Sequence, residues 1–326
     1  MKLSAAVRTV EAPESPLDSD ELLSFLDRIS LELRPAGAEP DQRQVQAALD
    51  RLSRSLRARR AADTDTWEEV VQTVRRHRLH GILRSDPFTN HAFSRPRGYP
   101  GDAALIDLIY GTGTTPVPED PGVKSITLRN LAVPACRAVR YRRLVAAELI
   151  LSTLEACHAP RVLSVACGHL REAELLPKGA LAHCREVVAM DADQESLSVA
   201  EQYGRETISG LPLRIKDLLS HDPELGTFDL IYSLGLLDYL TDRMAAALVA
   251  ALVRRLSPGG RLVVANFLPQ PVDVGYMEAC MDWYLIYRDE RGMQALVEDV
   301  PSVDLGSVTA TRDPDQQIVV QTVVRC

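Results

Sequence analysis

The sequence predicts an α/β protein: a doubly wound, mostly parallel sheet of seven strands closed by a C-terminal antiparallel hairpin, preceded by an N-terminal helical region and a lid. Three observations predict it. From residue 160 onward, short apolar runs rich in Val, Leu and Ile alternate with helical patterns across short connections, as parallel βαβ units require. Near the C-terminus, VDLGSVTATRD and QQIVVQTVVRC alternate with period two around Asp313-Pro314-Asp315, which is a hairpin signal. Before residue 160 the apolar spacing is helical and the breaks between runs are polar or proline-rich.

Taken in order, the first dozen or so residues, with Pro13 and Pro16, read as a mobile tail. Ser19 caps a helix in SDELLSFLDRISLELR, and PAGAEP breaks the chain before a second helix from about Asp41 to Arg60. A third helix follows DTDT (Asp63 to Thr66) and continues through WEEVVQTVRRHRLHGIL. Ser85 to Asp120 is dense in Pro and Gly but carries Phe88, Phe93, Tyr99 and Tyr110, so it is expected to be an ordered loop packed over something. One long helix is expected from about Ser125 to the end of LILSTLEA. The strands are VLSVA (162–166), EVVAMD (186–191), LPLRIKD (211–217), FDLIYSLG (228–235) and RLVVANF (261–267), with YMEACMDWYLIYR as the helix after the fifth. The domain expectation is therefore a helical region with the RGYPGD lid over 1–125, a linking helix over 126–159 and a ligand-binding sheet domain over 160–326.

Bulk properties narrow the function. A chain of 326 residues is enough for about two domains. Its 46% hydrophobic and 25% charged content is that of an ordinary globular protein. A net charge of −8 argues against nucleic acid as the main partner. Arg51, Arg54 and Arg57 share one helix face and read as a solvated surface. Six cysteines without paired spacing indicate neither a zinc site nor a disulfide framework, and fit a reducing cytosol. His77 and His80 lack companions that would make a metal site, so no metal is expected. No apolar run approaches the ~20 residues of a membrane span, and the N-terminus lacks an apolar signal core. The expected setting is cytoplasmic.

Ligands of doubly wound sheets bind beyond the C-terminal ends of the strands, so the residue ending each strand carries the functional reading. The first ends at Ala166-Cys167-Gly168, a turn that presents backbone N–H groups to one point. The second ends at Asp191, an acid able to accept both hydroxyls of a ribose, followed by Ala192 and Asp193. The third is expected to end at Asp217-Leu218, where a carboxylate meets an adenine amino group, and the fourth at Ser233-Leu234-Gly235. Taken singly, Asp191 or Asp217 is equally a helix cap. Together they describe an adenosine pocket. GxGxxG and GxxxxGK[ST] are both absent, which favours a nucleoside without pyrophosphate. The glycine turn is then expected to hold the amino-acid end of S-adenosylmethionine.

Residues 160–268, including SPGGRLVV (Ser257 to Val264), resemble the class I S-adenosylmethionine-dependent methyltransferases, which are Rossmann-like. A narrower likeness covers roughly residues 80–326. DPFTNHAFSRPRGYPGDAALIDLIY, SVACGHLRE, FDLIYSLGLLDYL and MDWYLIYR are similar to the bacterial methyltransferases of extracellular-factor 3-hydroxypalmitic acid methyl ester biosynthesis. The resemblance implies cofactor contacts at Ala166, Cys167, Gly168, Asp191, Ala192, Asp217, Leu218 and Ser233 to Gly235. The sequence departs from the broad class at Ser164, where an acid is usual, and at Ala166 and Leu170, where glycines are. It departs from the narrower family at His169.

Methyl transfer from a sulfonium needs alignment and exclusion of water more than acid–base help. A carboxylate acceptor needs a cation or donors to hold it, whereas an amine must first lose a proton. RGYPGD offers Arg97, Tyr99 and Asp102, and DWYLIYR offers Asp282, Tyr284, Tyr287 and Arg288. Tyr99, Asp282, Tyr287 and Arg288 are the candidate catalytic residues; Arg97, Asp102 and Tyr284 are candidates for binding substrate. Arg137 and Arg140 face either the pocket or the surface. The resemblance implies carboxyl O-methylation of a hydroxy fatty acid or similar acid, held by Arg288 or Arg97. The alternatives are N-methylation of a small amine or guanidine, paired with Asp282 or Asp102, and a silent cofactor-binding scaffold. The N-terminal helices either cover the site or join two chains in a homodimer.

Overall fold

The computed structural model describes residues 19–34, 41–62, 64–112, 118–221 and 223–326. The expected mobile tail, the PAGAEP break, the Asp63 end of the DTDT signal and the capping side chain of Ser19 lie outside what is described. The chain forms two compact units. One comprises the described residues within Met1–Phe93 and Val117–Arg129, with Val272–Asp282; the other comprises those within Ser94–Pro116, with Asn130–Pro271 and Trp283–Cys326.

The first unit is helical: Ser19–Leu33, Gln42–Ala62, Trp67–Arg76, Arg78–Leu83, Pro87–Ser94 and, from further along the chain, Val274–Met281. Its apolar stripes are the ones the spacing predicts. Val45, Leu49, Leu52 and Leu56 are fully buried at intervals of four, three and four residues. The expected third helix is two, because His77 is extended (φ −75°, ψ 146°) and its ring accepts a hydrogen bond from Leu79 N–H as the cap of the next helix. His80 is buried, its Nε2 3.0 Å from Cys280 O.

The second unit holds a seven-stranded sheet in the order β3-β2-β1-β4-β5-β7-β6. The strands are β1 Arg161–Val165, β2 Glu186–Asp191, β3 Ile208–Pro212, β4 Phe228–Ser233, β5 Leu256–Phe267, β6 Leu305–Arg312 and β7 Ile318–Arg325. β1 to β5 run parallel, while β7 pairs antiparallel with both β5 and β6. The hairpin is set by Asp313, which is buried and whose Oδ1 accepts from Gln317 N–H at 2.6 Å and Ile318 N–H at 2.7 Å. Leu163, Ile231, Leu262 and Val323 join Leu248 and Leu252 of the helix Asp242–Val253 in one core. Each buried Leu or Ile contributes on the order of 2 kcal/mol of transfer free energy.

Three further expected elements are corrected. The strand expected at 211–217 is 208–212, and Asp217 and Leu218 lie on a helix, Ile215–His221. The single long helix is Pro121–Ala132 and Pro134–Ala156, broken at Val133 (ψ 156°), because a residue before proline is driven out of the helical region. After Met281 the chain is not helical. Asp282 takes a left-handed φ of 51° as the C-cap, and Trp283 to Asp289 follow without regular structure.

Candidate active site

In the sheet unit, the C-terminal ends of β1, β2, β4 and β5 open into a cavity of about 410 Å³. That is within the range of cofactor sites, roughly 300–1,000 Å³. Its walls include the ends of those strands and the segment from Tyr99 to Tyr110, whose helix Ala103–Tyr110 is capped by Asp102.

The first wall is the turn after β1. Ala166 (φ 53°), Gly168 (φ 52°) and Leu170 (φ 50°) all adopt left-handed backbone. Two of them are not glycine, at a cost of roughly 1–2 kcal/mol each. The turn thus keeps the backbone that glycine takes freely, with a buried Leu170 side chain anchoring it. Asp191 closes the turn from β2. Its Oδ2 accepts from Gly168 N–H and its Oδ1 from Asp193 N–H, both at 2.9 Å. These bonds fix a carboxylate on the cavity wall with lone pairs left for a diol. A Cβ on Gly168 would come 3.4 Å from the Ala103 Cβ, so the turn packs closely on the adjacent helix. Ala192, Leu213, Arg214 and Ile215 continue the wall.

His169 has partners on both ring nitrogens. Its Nδ1 is 2.8 Å from Asp107 Oδ2 and its Nε2 is 3.3 Å from Arg97 Nη1. A guanidinium only donates and an ionised carboxylate only accepts, so the network assigns a neutral ring with the proton on Nδ1. Asp107 is also held by Arg171, at 2.8 and 2.5 Å. Burial pushes the Asp107 carboxyl up, but the hydrogen bonds from His169 and Arg171 outweigh it and hold the group below its ordinary value. Cys167 lines the same turn; burial and then Asp191 push its thiol well up, so it is no nucleophile.

Beyond β4 and β5 the wall becomes aromatic and cationic. Arg142 is buried, and its guanidinium lies 5.4 Å from the Phe267 ring centroid. Among the described residues its five N–H donors make one hydrogen bond, a 3.4 Å contact to Asp238 Oδ2. Asp238 is otherwise occupied by Phe267 N–H at 2.7 Å, and burial pushes its carboxyl up. Trp283 Nε1–H donates to the Tyr239 hydroxyl at 2.9 Å, which leaves the Tyr239 proton to point elsewhere. Gly101 permits this arrangement. A Cβ there would lie 2.4 Å from the Tyr239 Oη and 2.8 Å from Trp283 Cζ2. Gly101→Ala is expected to cost roughly 1–3 kcal/mol in urea denaturation as these two rings are displaced; unchanged stability would show that the rings yield freely.

Of the candidates drawn from the sequence, Ala166, Cys167, Gly168, Asp191, Ala192, Leu234, Gly235 and Tyr99 line this cavity. Burial, then the charges of Asp191, Asp102 and Asp193, push the Tyr99 phenol up to about 12, so it is a donor rather than a base. Ser233 is spent on Val165 O at 2.9 Å. Asp217 is turned to Arg214 at 2.7 Å, and Leu218 is core, so neither is among the lining residues.

The remaining candidates are likewise not cavity-lining. Arg288 is a structural clasp. Its five N–H groups go to Leu237 O, Leu240 O, Asn266 Oδ1 and twice to Asp242 Oδ1, at 2.6–3.0 Å, so none is left for a substrate. Arg97 pairs with Asp193 at 2.7 Å and with Glu195 at 3.1 Å. Asp102 is buried and accepts from Leu105 N–H. Asp282 pairs with Arg75 at 2.7 Å within the helical unit. Tyr284 and Tyr287 are outside the lining set. Arg137 binds Asp315, and Arg140 binds Ile109 O and Leu131 O. Arg142, Tyr239 and Glu172 went unread in the sequence; only their occurrence in RYRR, LLDYL and LRE, beside segments already singled out, could have pointed to them.

Residues 162–260 match the family described as methyltransferase domain. With the strand order and the strand-end cavity, this makes the sheet unit a class I methyltransferase domain and the chain an S-adenosylmethionine-dependent methyltransferase. Among solved structures, a possible exported protein from Bordetella parapertussis is similar with a TM-score of 0.51 at 17% identity, over 68% of this chain and 79% of that one, a likeness of fold. The N-methyltransferase NodS from Bradyrhizobium japonicum WM9, in complex with S-adenosyl-l-homocysteine, has a TM-score of 0.42 at 19% identity, over 60% of this chain and 89% of its own. Magnesium protoporphyrin IX methyltransferase (ChlM) from Synechocystis PCC 6803, with bound S-adenosylhomocysteine, has a TM-score of 0.46 at 13% identity, covering 68% and 92%. No curated protein sequence matches the chain. Among the described residues, no helix is long and apolar enough to cross a membrane.

The cavity suits its cofactor, S-adenosylmethionine, on its own residues. A fixed carboxylate at the end of β2 suits a ribose diol, and the apolar Leu213 and Ile215 suit an adenine face. Gly168, packed against Ala103, adds no side chain to the cavity at the turn.

Proposed function

We propose that the chain methylates the carboxyl group of a small or medium acid with an apolar body, a hydroxy fatty acid being the acceptor that the family resemblance implies. The observation that carries this reading is Arg142, a buried cation on the cavity wall with donors to spare. It lies at the β4 and β5 ends, beside Gly235 and Phe267 and on the other side of β1 from Asp191 at the end of β2. Bound S-adenosylmethionine supplies a methyl group on a sulfonium that needs no further activation. The residues of the chain have three tasks. Arg142 pairs with the acceptor carboxylate and orients one oxygen, a task that suits a planar guanidinium. The Tyr239 and Tyr99 hydroxyls donate hydrogen bonds, since burial keeps both phenols protonated. Tyr110, Phe267, Trp283 and Leu285 exclude water and receive the apolar body.

An amine acceptor fits less well, because the two carboxylates of the wall nearest Arg142 and His169 already have donors. Asp238 holds Arg142 and Phe267 N–H, and Asp107 holds His169 and Arg171.

The pH profile separates the two chemistries. A carboxylate is ionised above about pH 5 and the tyrosine donors keep their protons, so kcat/KM is expected to be flat from about pH 6 to about pH 9. A rise of about tenfold per pH unit over that range, the signature of an amine losing its proton, would overturn the carboxyl reading.

A further inference from the structure

We infer that Glu172, on the 3-10 turn Arg171–Leu175, holds the ammonium group at the amino-acid end of the cofactor, taking over the charge that Ser164 lacks at the end of β1. The inference rests on the cofactor and not on the acceptor proposed above.

Among the described residues four carboxylates line the cavity, and three of them each receive two or more hydrogen-bond donors from other residues. Asp107 is held by His169 and Arg171. Asp191 receives two backbone N–H groups, and Asp238 receives Arg142 and Phe267 N–H. Glu172 differs. It is 8% exposed; among the described residues its hydrogen-bond donors are its own backbone and the Tyr232 phenol, 2.6 Å from Oε1, and the Arg143 guanidinium acts on it through its charge without a hydrogen bond. A carboxylate buried without a charged hydrogen-bond donor, with Arg143 acting only through space, is under-compensated, and a cation in contact with it repays the cost of burial.

The position is built rather than incidental. Ser164 of β1 and Tyr232 of β4 are register partners, so their side chains project from the same face of the sheet. Ser164 is the neighbour of Tyr232 across the strands, and the Tyr232 phenol donates to Glu172. The row Ser164, Tyr232, Glu172 thus leads from the β1 position where the resemblance expects an acid to a carboxylate on the next turn. All three residues line the cavity, beside the Ala166–Gly168 turn where the sequence reading expects the amino-acid end of the ligand.

The test compares two ligands by calorimetry: S-adenosylhomocysteine, and 5′-methylthioadenosine, which has the same adenosine and thioether without the amino-acid end. Glu172→Gln keeps the shape and the acceptor for Tyr232, and is expected to weaken S-adenosylhomocysteine roughly 10- to 100-fold while leaving 5′-methylthioadenosine unchanged. Unchanged S-adenosylhomocysteine affinity, or an equal loss for both ligands, overturns the assignment. A wild type that binds neither ligand would instead remove the cofactor itself. Should Glu172→Gln not fold, the wild type decides alone. A deaminated S-adenosylhomocysteine is expected to bind 10- to 100-fold more weakly than the parent, and equal affinity overturns the inference.

Discussion

Asp191→Ala lowers affinity for S-adenosylhomocysteine on the order of 100-fold, while the protein stays folded. The expectation follows from what the carboxylate does in the structure. Each oxygen already accepts one backbone N–H, from Gly168 and Asp193, and these bonds hold it on the cavity wall. A ribose diol would add two charge-assisted hydrogen bonds, worth about 1.5–3 kcal/mol each before desolvation is subtracted. Removing the carboxylate also frees the Gly168 amide and loosens the left-handed turn from Ala166 to Leu170. Asp193 remains as the cap of the helix Gln194–Ala200, so the local fold has a second support. Calorimetry with a parallel melting curve checks the result, and a variant that binds as tightly as the wild type would remove Asp191 from the site.

Arg142→Lys raises the acceptor KM at least about tenfold and leaves the affinity for S-adenosylhomocysteine unchanged. Lysine retains the charge that compensates buried Asp238, and loss of that charge altogether would cost about 3–5 kcal/mol. It does not retain the planar fork, so a carboxylate held at two points by arginine would be held at one. The split between KM and cofactor affinity is the informative part. If S-adenosylhomocysteine weakens and the acceptor KM stays put, Arg142 belongs to the amino-acid end of the cofactor and the acceptor reading loses its anchor.

The sheet was legible in the sequence because its central strands are buried on both faces. VLSV, EVVAMD and FDLIYS are continuous apolar runs with sharp ends, and they appear as β1, β2 and β4 within a residue or two. β3 was misplaced for the opposite reason. It is an edge strand, ISGLP, carrying Ser209 and Gly210, whereas the stronger alternation of Leu211, Leu213 and Ile215 continues into the next helix. Asp217 went astray with it. Strand-end residues such as Gly168 and Asp191 could be read because topology alone brings them to one edge of the sheet. The acceptor wall could not. Arg288 and Asp282 stood out as charges in an apolar run, which marks a buried ion as readily as a substrate contact, and both proved to have protein partners. Arg142 sits in a run of arginines on a helix with nothing in its own segment to distinguish it. Its role depends on Asp238 and Phe267, 96 and 125 positions away. Gly101 is in the same position, since its need for a missing Cβ is set by Tyr239 and Trp283.

The central claim is most directly tested by following the methyl group. Purified protein would be incubated with S-adenosylmethionine labelled in the methyl carbon and with a series of hydroxy fatty acids, and the product then treated with mild alkali. Carboxyl methylation predicts label in an apolar product that alkali releases as volatile methanol, because a methyl ester hydrolyses. Label that survives alkali on nitrogen or carbon, formed with amines in place of the acids, would contradict the carboxyl reading and leave the methyltransferase fold serving a different acceptor.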